Sequence, residues 1–424
     1  MTLRANDAAR EGANEGSPPP ARLLDLTRLL SRAGQGPLTG IDRVELAYLR
    51  RLLQEDVPLF ALMRASPVDV LLDRHGIAAF ADRISGDTPW GRPDLLARIL
   101  ARGGRDTRSR ARSTVRRLAL ARAAGPLLGP MLRRHLPSGT AYLNIGHSNL
   151  KPRVLQAVRS VPRARITVFL HDTIPVDFPQ FAGAGQVERF ADSLATVSAH
   201  ADLVIYNSEQ SRRDAERHFS GMERVPEGLV AHLAVEPPRP EPAQLPPGLP
   251  LDRPWFVTIG TIEPRKNHAL LLDLWQQMHE ALPPSSIPRL FIIGRRGWKN
   301  EALFRRLDEA PFMGDTVIEL AGLDDGAVAA LLQGARALLF PSHAEGFGLP
   351  LLEAAALGVP VICNDLPIYR EFAGSYPIYA PVHDRYQWAR KLAEALDDEA
   401  MPRPAAILDL PSWNKHFQSV LKLT

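Results

Sequence analysis

The residues from Phe340 to Asp365 constrain the fold of this chain more than any others, because they set a strand, a helix and a second strand end to end with clear joints. Ala337-Leu338-Leu339-Phe340 is a short apolar run of the kind that fills a buried parallel strand, and Pro341 breaks it. A loop carrying Glu345, Gly346 and Gly348 follows, and a helix opens at Pro350, a first helical position that needs no N–H partner. The helix runs through Glu353 to Leu357 and stops at Gly358, which suits the left-handed end position. Val359 to Cys363 is apolar again and completes a β-α-β unit. Its loop lies beyond the carboxyl end of a parallel strand and at a helix amino terminus, where free N–H groups and the helix dipole favour an anion.

Two carboxylates narrow the choice of anion. Glu345 precedes the glycines and Glu353 lies on the first turns of the helix, so both can face one pocket. Carboxylates accept hydrogen bonds from hydroxyl groups and make poor partners for a bare phosphate. A ligand satisfying both features holds a diphosphate between two polyhydroxylated parts, which describes a nucleotide sugar.

The rest of the chain repeats the same alternation. The strand Trp255 to Ile259 ends in Gly260-Thr261-Ile262-Glu263-Pro264-Arg265-Lys266-Asn267 before a leucine-rich helix. Arg265 can grip two phosphate oxygens with its planar fork, and Lys266 adds a compact charge. Strands are expected at Phe291 to Ile293, Val317 to Leu320 and Tyr376 to Tyr379, with helices near Tyr386 to Leu396 and Ser412 to Leu421. Leu323-Asp324-Asp325 reads as a helix start. In the first half, a strand at Arg22 to Thr27 leads to Gly34-Gln35-Gly36-Pro37-Leu38-Thr39-Gly40 and a helix from about Ile41 to Leu53. Apolar runs at Leu59 to Met63, Val68 to Leu72, Tyr142 to Ile145, Ile166 to Leu170 and Leu203 to Tyr206 alternate with helical stretches, as a parallel sheet requires. Three of them end in polar residues, where ligands of open α/β sheets collect: Gly146 to Asn149, His171-Asp172-Thr173 and Asn207-Ser208-Glu209. His171 can hydrogen-bond sugar hydroxyls or shuttle a proton, and the pair His171-Asp172 can equally cap the following turn. His147 reads as a buried, hydrogen-bonded histidine.

Glu-Gly-Phe-Gly-Leu-Pro-Leu-Leu-Glu, residues 345–353, resembles the signature of glycosyltransferase family 4, and the string around Arg265-Lys266 resembles that family's phosphate-binding element. His171-Asp172 is similar to a His-Asp pair found in many of its members. The resemblance implies an α/β chain of GT-B architecture, with two Rossmann-like domains facing a central cleft, and a retaining transfer from a nucleoside diphosphate sugar. It implies that Glu345 contacts the transferred sugar and Glu353 the nucleotide ribose, with His171 and Asp172 near the sugar, and that Gly40 approaches the donor phosphates. Arg265, Lys266 and the backbone of Gly346, Phe347, Gly348 and Leu349 would stabilise the leaving diphosphate. Glu345 is a possible nucleophile by chemistry alone, whereas the resemblance gives it a positioning role. His-Asp-Thr-Ile-Pro, residues 171–175, resembles bacterial mannosyltransferases of surface-polysaccharide assembly, which points to GDP-mannose ahead of a UDP-sugar as donor and to a saccharide or lipid-linked acceptor. No cofactor or metal is expected, since no Asp-x-Asp pair stands in a suitable place.

On this reading residues 1–20 are a disordered tail, 21–236 an acceptor domain, 237–254 a proline-rich linker, 255–395 the nucleotide-sugar domain, and 396–424 a segment whose helix returns to the first domain. Two other readings remain open: a GT-B epimerase or phosphorylase, and a non-catalytic sugar-binding or scaffold protein. A dinucleotide oxidoreductase is disfavoured, because no Gly-x-Gly-x-x-Gly follows any expected strand.

Composition bounds the setting. The 424 residues are 45% hydrophobic and 23% charged, with no apolar stretch of spanning length; the polar first twenty read as a tail and not as a secretory signal, and the single Cys363 allows no internal disulfide. Cytoplasmic residence is the expectation. The net charge of +4 conceals a basic segment at 102–134, with ten arginines and one acid, Asp106. Val115, Leu118 and Ala119 would share one side of a helix there, with Arg116 and Arg117 turned outward, as on helices that lie on anionic lipid. A solvated insertion or a mobile loop is the alternative reading. The segment has no aromatic residues to stack bases, so nucleic acid is not an expected partner.

Overall fold

The computed structural model describes residues 18–95, 97, 106–236, 239–397, 399, 401 and 410–424. Most of the expected tail, the start of the basic segment and residues 402–409 lie outside the described residues.

Two sheets organise the molecule. The first has eight strands in the order β4-β3-β2-β1-β5-β6-β7-β8: β1 (Arg22–Asp25), β2 (Leu59–Ala65), β3 (Val68–Leu72), β4 (Ala121–Ala123), β5 (Ala141–Asn144), β6 (Arg165–Leu170), β7 (Leu203–Tyr206) and β8 (Glu227–Val230). The second has six strands in the order β11-β10-β9-β12-β13-β14: β9 (Trp255–Ile259), β10 (Arg289–Ile293), β11 (Val317–Leu320), β12 (Leu338–Phe340), β13 (Val361–Cys363) and β14 (Ile378–Tyr379). Every pairing in the second sheet is parallel. Its strand order reverses between β9 and β12, and that reversal opens the crevice in which doubly wound sheets bind ligands. The first sheet reverses in the same way between β1 and β5.

The runs expected as strands are apolar throughout because helices cover both faces of each sheet. Leu23, Leu24, Phe169, Ile205, Phe256, Phe291, Leu338 and Ile362 are buried at 2% exposure or less. The first sheet is not wholly parallel, however: β3 runs antiparallel to both β2 and β4. Only two residues separate β2 from β3, which leaves no room for a crossover helix. A short helix, Thr27–Arg32, also stands between β1 and the glycine-rich loop, where the sequence reading had the loop follow directly. Leu29 and Leu30 bury its inner side.

The basic segment departs most from expectation. Its described part forms the helix Thr107–Leu118, β4 and the helix Leu128–His135, and all three pack into the first domain. Arg116, expected to face outward, is 4% exposed: it grips both oxygens of Asp94 at 2.8 Å and donates to the Ala65 carbonyl at 2.9 Å. The helix turns this guanidinium inward because a carboxylate 22 residues earlier awaits it. Residues 239–254 likewise do not hang free. The Glu241 N–H donates to the Gly326 carbonyl at 3.0 Å, and the turn Pro242–Gln244 lies on the helix Asp325–Gly334. At the other end, the helix Trp413–Val420 lies on the first domain, with the Phe417 ring 5.0 Å from that of Tyr48 and His416 Nε2 hydrogen-bonded to the Tyr48 hydroxyl at 2.8 Å. No helix among the described residues is long and apolar enough to cross a membrane.

Candidate active site

The loops after β9 and β12 and those after β1 and β6 face each other across a cleft of about 1010 Å³. Gly40, His171, Asp172, Arg265, Lys266, Glu345, Gly346, Phe347, Gly348, Leu349 and Glu353 all line it. The candidate residues, drawn from positions more than 300 apart in sequence, thus converge on one space.

At the floor of the second domain's half, Glu345 is surrounded by donors. Its Oε1 accepts from Lys266 Nζ and from the Ser342 hydroxyl, each at 2.6 Å, and its Oε2 faces Arg265 Nη1 at 2.8 Å. Burial alone would raise this carboxyl, but Arg265 and then Lys266 outweigh it and hold it down at about 2. Lys266 stands with its ammonium 4.8 Å from the centre of the Phe340 ring, and burial lowers its pKa. Arg265 also donates to the Ala344 carbonyl at 2.7 Å and through Nη2 to Glu263 Oε1 at 2.6 Å. Glu263, 4% exposed, was missed as part of this cluster although it lies within the same string, two residues before the arginine it orients. Two cations stay in a fixed place here because two buried carboxylates hold them.

The loop needs its glycines. Gly348 has φ of +109° and caps the helix Leu349–Ala356. At Gly346, a Cβ atom would stand 2.7 Å from Asp172 Oδ2, so only glycine lets the two domains come this close. The Phe347 side chain turns into the core, its ring stacked on Phe372 at 4.6 Å, which leaves its backbone to serve the cleft.

On the facing side, the imidazole of His171 is 3% exposed and stacked on Phe169 at 4.4 Å. His171 Nε2 donates to the Ile145 carbonyl at 2.8 Å, which leaves Nδ1 without a proton in the neutral ring. Burial, reinforced by His147, pushes its pKa well below 6.5. His147 lies beneath it and accepts the His171 backbone N–H at 3.1 Å; burial brings its own pKa to about 4. Asp172 Oδ1 accepts the Ile174 N–H at 3.1 Å, the capping arrangement open to it from sequence, and burial raises its pKa against the pull of Arg265. A neutral histidine at this place is a hydrogen-bonding group and not a cation.

Glu353 also lines the cleft, as do Gly322, Leu323 and Asp325, and the Asp325 carboxylate is near enough to act on it. Glu353 Oε1 is paired with Arg43 of the helix Gly40–Gln54, a contact between domains that the sequence reading did not find. Gly40 starts that helix, and a Cβ on it would lie 3.4 Å from Leu349. Among the described residues no group of three or more His, Cys, Asp or Glu side chains is placed to hold a metal ion.

Residues 244–407 match the family model described as glycosyl transferases group 1. Two relatives from Escherichia coli are the serotype-specific mannosyltransferase WbdA, 30% identical over 60% of this chain, and the O-antigen chain mannosyltransferase B, 29% identical over 55%. The chain spans 32% of the length of WbdA and 62% of the second relative. The crystal structure of Anabaena HepE in complex with UDP and glucose has the same fold: the TM-score is 0.59 at 14% identity, over 94% of this chain and 95% of that one. The two facing Rossmann-like domains are the GT-B architecture expected from sequence.

Proposed function

We propose that the chain transfers a hexose from a nucleoside diphosphate sugar to an acceptor hydroxyl, with retention at the anomeric carbon, a reading supported by the match of residues 244–407 to the glycosyl transferases group 1 model. The observation that carries this reading is the cluster in which Arg265 and Lys266 are both held by Glu345 at the floor of the cleft. A departing diphosphate needs cations already in position, because preorganised charge costs no rearrangement at the moment of reaction. Backbone N–H groups at the start of the helix Leu349–Ala356 add to that charge. The cations of this chain take the leaving-group charge, and the scheme requires no metal or other cofactor. Closure of the facing loops over a bound donor would exclude water that could hydrolyse it.

Mannose from GDP-mannose is the favoured hexose and donor, supported by the mannosyltransferase names of both relatives; UDP-sugars are the other class to be tried. The acceptor is a saccharide or a lipid-linked saccharide of a surface polysaccharide or glycolipid. In the lipid-linked case, the exposed Arg117, Arg122, Arg133 and Arg134, and the exposed Leu120 and Leu127, are the groups of the basic segment that would meet the anionic inner surface of a membrane. On this reading the protein works in the cytoplasm, at the membrane periphery.

The test is to incubate the protein with GDP-mannose or UDP-sugars and lipid-linked or free mannosides, and to read the product by NMR. A new glycoside with the donor's anomeric configuration is expected. A donor altered in its sugar with no acceptor consumed would instead support an epimerase.

A further inference from the structure

Arg43 and Glu353 come from different domains, 310 residues apart, and meet in the cleft at the carboxylate to which the resemblance assigns the nucleotide ribose. Arg43 lies one helical turn past the Gly40 loop, on the side that faces the second domain. Its guanidinium takes Oε1 of Glu353, and both residues line the cleft. The arginine side chain is 38% exposed and the glutamate 11%, so the carboxylate is the buried member and the guanidinium its lid toward solvent.

We propose that Arg43 is a positioning residue for the nucleotide: it holds Glu353 ionised and oriented so that the carboxylate accepts a ribose hydroxyl, which completes the ribose site only when the two domains meet. This rests on the nucleotide-sugar reading and deepens it.

The charge balance around the pair supports the role. Burial raises the pKa of Glu353 and Arg43 opposes that rise, while the nearby Asp325 adds to it. Glu236, Arg239 and Glu241, of the segment that joins the domains, also line the cleft. Glu236 and Asp325 both act on Arg43, so the acids near the pair outnumber the bases. A carboxyl buried among acids takes up a proton once its one guanidinium partner is gone. A protonated carboxyl has lost an acceptor site and most of its attraction for hydroxyl donors. The domain that carries the cations for the diphosphate therefore depends on the other domain for the state of its ribose carboxylate.

The test is calorimetric titration of the full chain with GDP and with UDP from pH 8.5 to pH 6, for wild type, Arg43→Met, Arg43→Lys and Glu353→Gln. Changes in the nucleotide's own ionisation affect all four alike, so the readout is each variant's Kd relative to wild type. The ratio for Arg43→Met is expected to rise as pH falls, by about tenfold per unit below the freed carboxyl's pKa. Arg43→Lys restores a cation and flattens the ratio, and Glu353→Gln gives a weaker ratio that does not change with pH. A constant ratio for Arg43→Met, in a variant whose circular dichroism matches wild type, overturns this inference and leaves the nucleotide-sugar reading intact. Failure of wild type to bind either nucleotide overturns both.

Discussion

Lys266 Nζ lies 2.6 Å from Glu345 Oε1, and Arg265 Nη1 lies 2.8 Å from the other oxygen of the same carboxylate. Both oxygens of Glu345 are therefore engaged before any ligand arrives. The carboxylate is first of all the group that keeps two cations in place, and any contact it makes with a sugar is added to that work.

Substituting Glu345 by glutamine should lower turnover by about 10² to 10³-fold, the cost typical of losing a preorganised charge at a reacting centre. The fold should be weakened as well. The Glu345 carboxyl stands at about 2 in the native state against an ordinary value of 4.5. It thus contributes stability above pH 4.5 that is lost as pH falls toward 2, on the order of 3 kcal/mol. Acid unfolding of Glu345→Gln followed by circular dichroism should show a shallower loss over this window; a profile identical to wild type would remove the linkage.

His171 should stay neutral under working conditions, because burial holds its pKa well below 6.5. The native state resists its protonation, so it lowers stability as pH falls below 6.5 and leaves stability unchanged above that value. NMR of the imidazole should show no titration between pH 8 and pH 6. A proton gained in that range would contradict the buried, hydrogen-bonded ring described above.

Gly346→Ala places a methyl group against Asp172, where the loop of the second domain passes close to the first. Turnover should fall while each domain stays folded. Wild-type activity in this variant would mean that the domains do not need to meet there.

Arg116 and its exposed neighbours should separate cleanly. Arg116→Ala leaves the Asp94 carboxylate, now held at about 2 by its hydrogen bonds to Arg116, without its partner. Because Asp94 itself is partly exposed, the loss should be about 1 to 2 kcal/mol in urea unfolding, from the arginine's buried hydrogen bonds. Neutralising Arg117, Arg122, Arg133 and Arg134 together should leave stability nearly unchanged and weaken binding to anionic vesicles, by about 1 kcal/mol for each arginine at the surface. Vesicle binding that survives the four substitutions would exclude this face as the contact.

What the sequence revealed follows from how local each signal is. The second domain reads well because its strands are short apolar runs between glycines and prolines, and because the loop 341–348 announces itself by spacing alone. Gly358 does take the left-handed conformation, at φ of +65°, that its place after the helix requires. The basic segment misled because a run of arginines gives no local sign of which one has a buried partner; the pairing of Arg116 with Asp94 is tertiary. Arg43 went unnoticed for the same reason, since its partner lies across the cleft in the other domain. The antiparallel turn from β2 to β3 was legible in principle, because the gap between Ala65 and Val68 is too short for a parallel crossover.

The most direct test of the central claim is a thermal-shift measurement of the wild-type protein and of Arg265→Ala against GDP, UDP, ADP, GDP-mannose, UDP-glucose and UDP-N-acetylglucosamine. A ligand bound only by the native state raises the midpoint. The account predicts a selective rise with one nucleotide and its sugar conjugate in wild type, lost in Arg265→Ala. No rise with any of the six, or an equal rise in the variant, would contradict a nucleotide-sugar site built on Arg265, Lys266 and Glu345.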